Sequence, residues 1–171
     1  MVGYPPGNRF DAVMPDVTLR PVELGDEGFL YRVYASTRHE ELAQTGWSEA
    51  LRETFLRQQF EAQSRYYREH YQEASFDVIL ADVRPIGRLY VARWPEEIRI
   101  VYIALLPEYR DGGIGTKLLE DLISESEASA KPLSIHVERF NPALRLYERL
   151  GFREVADKGV YLFMERPLAT G

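Results

Sequence analysis

A glycine-rich segment between two apolar stretches constrains this chain more than any other feature. The segment is Arg110-Asp111-Gly112-Gly113-Ile114-Gly115-Thr116; an apolar run from Ile98 to Leu106 precedes it, and an amphipathic stretch begins at Ile114. The pattern predicts a strand, a loop and a helix. This order directs several main-chain N–H groups and the positive end of the helix dipole toward one point. Because glycine has no Cβ atom, an oxygen can approach that main chain closely. The loop is therefore predicted to bind a phosphate group.

The spacing of the glycines excludes the two common nucleotide loops. A dinucleotide fingerprint, Gly-x-Gly-x-x-Gly, would place its third glycine at Leu118 when counted from Gly113. A Walker A loop ends in Gly-Lys-Ser/Thr, whereas Gly115 is followed by Thr116 and Lys117. What remains is the pattern Arg-x-x-Gly-x-Gly from Arg110 to Gly115.

Composition and charge exclude several other classes of protein. A length of 171 residues predicts one domain with a sizeable core. The net charge of −6 argues against a nucleic-acid partner. The chain has no cysteine, so it has no thiolate nucleophile, and its three scattered histidines predict no metal site. No apolar run approaches the roughly 20 residues that span a bilayer, so we expect no membrane association and a cytoplasmic location.

The order of apolar patterns predicts a mixed α/β (α+β) fold. Residues 1–15 are polar with Gly and Pro and are predicted to form a flexible N-terminal tail, followed by a single domain over 16–171. Alternation and helical spacing within the domain predict the order β-α-α-β-β-β-α-β-α-β-β, with a central, mostly antiparallel sheet flanked by helices. Ser48 is the predicted N-cap of the second helix, where Tyr66, Tyr67 and Tyr71 are expected to pack. Asn141 is the predicted N-cap of the last helix, with Pro142 at its first position.

A second motif lies 26 residues beyond the glycine loop. The run Asn141-Pro-Ala-Leu-Arg-Leu-Tyr-Glu-Arg-Leu-Gly151-Phe152 combines an asparagine, a tyrosine and a Gly-Phe pair. With the first motif it resembles the two signatures of the GNAT superfamily of N-acetyltransferases. The loop is similar to the family's acyl-CoA pyrophosphate loop, Gln/Arg-x-x-Gly-x-Gly/Ala after a strand ending near a proline, here Pro107. The second run is similar to Ala-x-x-Leu-Tyr-x-x-x-Gly-Phe; its asparagine lies six residues before the tyrosine, where many relatives have seven.

The resemblance implies that acetyl-CoA is the co-substrate. It implies a strand before the loop that separates from the next strand and pairs its backbone with the pantetheine arm. The residues implied to bind the co-substrate are Ile103, Ala104, Leu105, Arg110, Asp111, Gly112, Gly113, Ile114, Gly115, Thr116 and Asn141. For Asn141 a helix-capping role is the alternative, and for Arg110 a pair with Glu108. Tyr147 is implied to act on the departing thiolate, either as a general acid or as a hydrogen-bond donor.

Direct attack by an amine also requires a proton acceptor. An alkyl amine with a pKa near 10.4 is mostly protonated at pH 7, and forming its neutral, reactive form costs about 4.6 kcal/mol. His136 is the preferred candidate because its ordinary pKa is near 6.5; Glu97, Glu138 and a chain of water molecules are alternatives. His136 could instead be a packed strand residue, and Tyr147 an aromatic of the core.

The sequence therefore predicts an N-acetyltransferase that acts on a primary amine in a ternary complex, without a covalent enzyme intermediate. A non-catalytic acyl-CoA-binding module is the alternative. The acceptor is predicted to be a small molecule or a peptide. Acidic residues of the first two helices, Glu40, Glu41, Glu49 and Glu53, favour a cationic amine. The sequence is compatible with a homodimer and does not fix the preferred acyl chain.

Overall fold

A computed structural model describes residues 14–169, so residues 1–13 of the predicted tail and the last two residues lie outside the described part. It contains seven strands and four α-helices in the predicted order. They are β1 Val17–Pro21, α1 Glu27–Ala43, α2 Glu49–His70, β2 Ser75–Ala81, β3 Arg84–Arg93, β4 Ile98–Leu105, α3 Ile114–Ser129, β5 Leu133–Glu138, α4 Leu144–Arg149, β6 Arg153–Asp157 and β7 Tyr161–Arg166. The predicted fold class and element order are confirmed. None of the described helices is long and apolar enough to cross a bilayer.

The strands form one mixed sheet in the order β1-β2-β3-β4-β5-β7-β6. Every neighbouring pair is antiparallel except β4 and β5, which α3 connects in parallel. The apolar stripe of α3 buries Ile114, Leu118 and Leu122 in one cluster with the sheet and α4. Helices α1 and α2 bury a separate cluster against Val78 on the other face. The sheet is therefore the middle layer between two pairs of helices.

Of the two predicted helix caps, one is confirmed and the other is wrong. Ser48 caps α2 as predicted, accepting a hydrogen bond from the Leu51 N–H at 3.2 Å. Asn141 does not cap α4, so that prediction is wrong: the N-cap is Ala143 and the helix begins at Leu144. The side-chain oxygen of Asn141 accepts a hydrogen bond from the Ala143 N–H at 2.8 Å. The main-chain carbonyl of Asn141 accepts one from the Leu144 N–H at 3.1 Å. These bonds form a turn over residues 141–144, because asparagine favours such side-chain-to-backbone bonds.

A bulge in β4 marks the point where it separates from β5. Tyr90 of β3 faces Tyr102 and the next residue, Val91, faces Ile100, so Val101 is the additional residue of β4. The parallel pairing with β5 covers Ile98, Arg99 and Ile100 and stops there. Residues 101–105 therefore have β3 on one side and no strand partner on the other within the described chain. This is the separation of strands that the family resemblance implies.

Candidate functional site

The glycine loop presents free main-chain amides at the start of α3. Gly113 adopts a left-handed conformation with φ of 89° and is the N-cap residue of α3. The Lys117 N–H donates to the Gly113 carbonyl at 3.0 Å, so the amides of Ile114, Gly115 and Thr116 precede the first bond of the helix. A Cβ atom added at Gly112 or Gly115 would meet nothing within 4 Å. Among residues 14–169 these three amides have no hydrogen-bond acceptor. Orphan donors at a helix N-terminus can bind phosphate oxygens.

Arg110 extends away from the loop toward the end of β4. Its Nε atom donates to the Leu105 carbonyl at 2.9 Å and its Nη2 atom to the Ser36 hydroxyl of α1 at 3.0 Å. These bonds fix the loop against both elements, and no ion pair with Glu108 is present among residues 14–169. Arg110 also engages one of the β4 carbonyls predicted to bind pantetheine. Its predicted phosphate contact stays a prediction.

Tyr147 lies in the cluster between α3, α4 and the sheet. Its side chain is 4% exposed and packs edge-to-face on Phe152, with ring centroids 5.6 Å apart. Burial raises the pKa of its hydroxyl to about 12. Full proton transfer to a thiolate with a pKa near 8.5 would then cost about 5 kcal/mol. The Tyr147 hydroxyl therefore keeps its proton at neutral pH and can donate a hydrogen bond.

His136 lies on the opposite face of β5 from Tyr147. Its neighbours Ile135 and Val137 are buried in the Tyr147 cluster, and strand alternation places the exposed His136 on the α1/α2 side. The imidazole packs against Phe163 at 4.9 Å. Partial desolvation lowers its pKa, as do the charges of Arg99 and Lys158, while Glu97 opposes them. His136 is therefore neutral at pH 7 and can accept a proton.

The two carboxylates considered as alternative bases are engaged in ion pairs. Glu97 accepts from Arg99 at 3.0 Å and also from the Ser134 hydroxyl. Glu138 accepts from Arg38 of α1 at 2.7 Å, which ties α1 to the end of β5. Both carboxylates are therefore already paired with an arginine, whereas His136 forms no ion pair among residues 14–169.

An aromatic layer missed by the sequence prediction lies under α1 and α2. Tyr67 of α2 contacts Tyr90 and Tyr102, with ring centroids 5.9 and 6.4 Å away, and Arg88 of β3 lies over the Tyr102 ring at 4.2 Å. Tyr67 packs on these strand residues as well as within its helix. The one available signal was a charged residue inside the apolar strand Ile86–Ala92. No cluster of three or more potential metal ligands is found in the described chain.

Two features of this domain are typical of acetyltransferase folds. One is the parallel strand pair that separates at a bulge, and the other is the glycine loop at a helix N-terminus. A family model described as "Acetyltransferase (GNAT) family" matches residues 25–152. An N-alpha-acetyltransferase of Saccharolobus solfataricus is 32% identical over 127 residues, covering 60% of this chain and 76% of that protein. The chain belongs to the GNAT family of acetyltransferases.

Solved structures agree with this fold. The PaiA N-acetyltransferase of Thermoplasma acidophilum, crystallised with coenzyme A, superposes with a TM-score of 0.67 at 20% identity, covering 88% of this chain and 98% of that one. A GNAT family acetyltransferase of Elizabethkingia anophelis with acetyl-CoA bound gives a TM-score of 0.56 at 17% identity, covering 89% and 98% of the two chains.

Proposed function

We propose that this protein is an N-acetyltransferase that transfers an acetyl group from acetyl-CoA to a primary amine by direct attack in a ternary complex. The observation that carries the proposal is the row of orphan amides at Ile114, Gly115 and Thr116. It follows a strand whose residues 101–105 pair only with β3 in the described part of the chain. An acyl carrier such as CoA fits both features: its phosphates suit the loop amides, and the amide groups of its pantetheine arm suit the unpaired strand segment. The co-substrate complexes of the two solved relatives and the name of the archaeal relative support the same chemistry.

The reaction balances with the groups present on the two faces of β5. The neutral amine attacks the thioester carbonyl carbon, a C–N bond forms, and the C–S bond breaks with its electron pair on sulfur. The attacking nitrogen loses one proton to His136 or to water on the α1/α2 side. The departing CoA thiolate receives a hydrogen bond from Tyr147 on the other side and takes a proton from solvent. Amine and thioester become amide and thiol.

The test is a screen of amines with purified protein and acetyl-CoA. Released thiol is measured with a chromogenic disulfide, and the acetylated product is identified by mass spectrometry. The proposal predicts thiol release that requires both the protein and an amine. Thiol release that is independent of the amine, or binding of acetyl-CoA with no release across the library, would overturn the transferase function. The second of these results would identify an acyl-CoA-binding module.

A further inference from the structure

Arg88 is a buried cation without a carboxylate partner. Its side chain is 1% exposed, and it takes part in none of the ion pairs between residues 14 and 169. Its Nε atom donates to the Tyr90 hydroxyl at 3.2 Å, while its Nη1 atom is buried and has no hydrogen-bond partner in the described chain. The guanidinium carbon lies 4.2 Å from the Tyr102 ring centroid and 4.7 Å from that of Tyr90. Contacts with aromatic rings offset part of the free-energy cost of removing a charge from water. They supply no hydrogen-bond acceptor for the N–H groups of Arg88.

A second buried donor lies beside it. The Tyr102 hydroxyl also has no hydrogen-bond partner among residues 14–169. The neighbouring Thr37 hydroxyl donates its own hydrogen to the Tyr34 carbonyl at 2.7 Å. Burial raises the pKa of Tyr102, so its hydroxyl keeps its proton and offers no negative charge to Arg88. Buried donors without partners are rare in folded proteins, and an ordered water, an ion or a ligand group can supply the acceptor.

The charge of Arg88 indicates what kind of group would accept its hydrogen bonds. One guanidinium contributes one positive charge, and the nearby cation Arg38 is already paired with Glu138 at 2.7 Å. A singly charged anion would neutralise the site, whereas a doubly charged phosphate monoester would leave a buried negative charge. The planar N–H groups of arginine match a carboxylate. The near-complete burial of Arg88 favours a small ligand.

The position relates this site to acetyl transfer. Tyr102 directly follows the bulge residue Val101, where β4 separates from β5. Its main chain therefore lies at the start of the strand segment that is proposed to bind the acyl carrier, and its side chain extends toward Tyr67 of α2. The site is also on the α1/α2 side, as is His136.

We propose that Arg88 and Tyr102 bind the carboxylate of the acceptor, which is an amino acid or another small amine bearing a carboxylate. This inference rests on the proposed acetyl transfer and names its substrate class. Such an acceptor carries its amine and its carboxylate on the same residue. Two kinds of molecule have this arrangement: free amino acids, and short peptides that begin with Asp or Glu. Glu41 and Glu53, two of the acidic residues taken as a hint of a cationic amine, are engaged with Arg38 and Arg57.

The test compares each amino acid with its carboxamide, which keeps the amine and removes the negative charge. Tripeptides with an acidic first residue and their Asn or Gln counterparts form the second arm. Thiol release measures turnover, and thermal unfolding in the presence of CoA measures binding without turnover. We expect the wild-type protein to prefer the carboxylate form at least tenfold, since a hydrogen bond to a charged group contributes about 1.5–3 kcal/mol.

Two variants and one control isolate the site. Tyr102→Phe removes a single hydroxyl and is expected to lower kcat/KM for the carboxylate acceptor about tenfold more than kcat/KM for its carboxamide. Tyr66→Phe makes the same change on the exposed surface of α2 and is expected to have no effect. Arg88→Met is expected to abolish the preference and to unfold at an equal or higher temperature, because an apolar residue replaces a buried charge without a carboxylate partner. A purely structural Arg88 would instead make Arg88→Met less stable.

The outcomes separate the two proposals. Ligand stabilisation that requires the carboxylate and the Tyr102 hydroxyl, without thiol release, supports the carboxylate site and contradicts the transferase function. Thiol release with amines that lack a carboxylate, at rates unaffected by Tyr102→Phe, supports the transferase and overturns the carboxylate site. Equal stabilisation by acetate, phosphate and amino acids would also overturn it, because the site would then hold any anion.

Discussion

Gly87 of β3 sets the position of the strand that is proposed to hold the acyl carrier. A Cβ atom added at Gly87 would lie 2.3 Å from the Ala104 carbonyl oxygen and 2.9 Å from a methyl carbon of Leu105. The first neighbour is backbone of β4 and cannot rotate away. Because carbon and oxygen atoms normally stay more than 3 Å apart, Gly87→Ala requires β4 to shift by about 1 Å.

The expected cost follows from overpacking. Forcing an additional methyl group into a packed interior destabilises a protein by about 1–3 kcal/mol. For a domain of this size the unfolding temperature would fall by about 2–12 °C. The same shift moves the main chain of residues 103–105, so we also expect the Kd for acetyl-CoA to rise. Thermal unfolding and calorimetric titration with acetyl-CoA measure the two effects on the same sample.

Gly28→Ala is the matched control. Gly28 lies in α1, where an added Cβ atom would meet nothing within 4 Å. This change is expected to raise stability by about 0.5–1 kcal/mol, since alanine favours a helix more than glycine does. Affinity for acetyl-CoA should not change. If Gly87→Ala unfolds at the wild-type temperature and binds acetyl-CoA with wild-type affinity, then Gly87 does not determine the position of β4.

Three further predictions concern protons. Tyr147→Phe is expected to lower kcat by about 10–100-fold, the value of a hydrogen bond to a charged group, with an unchanged Kd for acetyl-CoA in calorimetry; unchanged turnover would exclude its role. His136→Gln is expected to remove the acidic limb of the pH profile of kcat/KM, whose midpoint should lie below 6.5 because the pKa of His136 is lowered; an identical profile would exclude His136 as the base. The Arg20 guanidinium lowers the pKa of Asp26 to about 2, so its contribution to stability is present above pH 4 and is lost as the pH falls toward 2. Asp26→Asn should reduce the unfolding free energy by about 1–2 kcal/mol at pH 7 and much less at pH 2; an equal loss at both pH values would contradict the assignment.

The fold was predictable because its signals are local. Helical spacing in α3, the Ser48 cap of α2 and the glycines before Ile114 each specify an element from neighbouring residues alone. Strand register is not local, so the bulge at Val101 and the end of pairing at Ile100 appear only when the sheet is assembled. The start of α4 was misplaced because asparagine stabilises a turn as readily as it caps a helix.

For the candidate site, the sequence led to a prediction only where a motif contained the residues, and those roles stay predictions. The loop and Tyr147 belong to recognisable patterns, whereas Arg88 and Tyr102 lie in strands whose sequence gives no sign that two donors would be left without acceptors. Their environment depends on which helix covers which strand. The opposite placement of His136 and Tyr147 likewise follows from strand alternation combined with the position of α4.

Removal of one amide from the glycine loop tests the central claim most directly. Proline at Gly115 deletes an N–H in the first helical turn, where proline is tolerated, while alanine at the same position keeps the N–H and meets open space. Calorimetric titration with acetyl-CoA should show binding to the wild-type protein and to Gly115→Ala, and at least tenfold weaker binding to a folded Gly115→Pro. Equal binding of acetyl-CoA by all three proteins, or binding of ATP in its place, would contradict the claim that these amides hold the diphosphate of an acyl carrier.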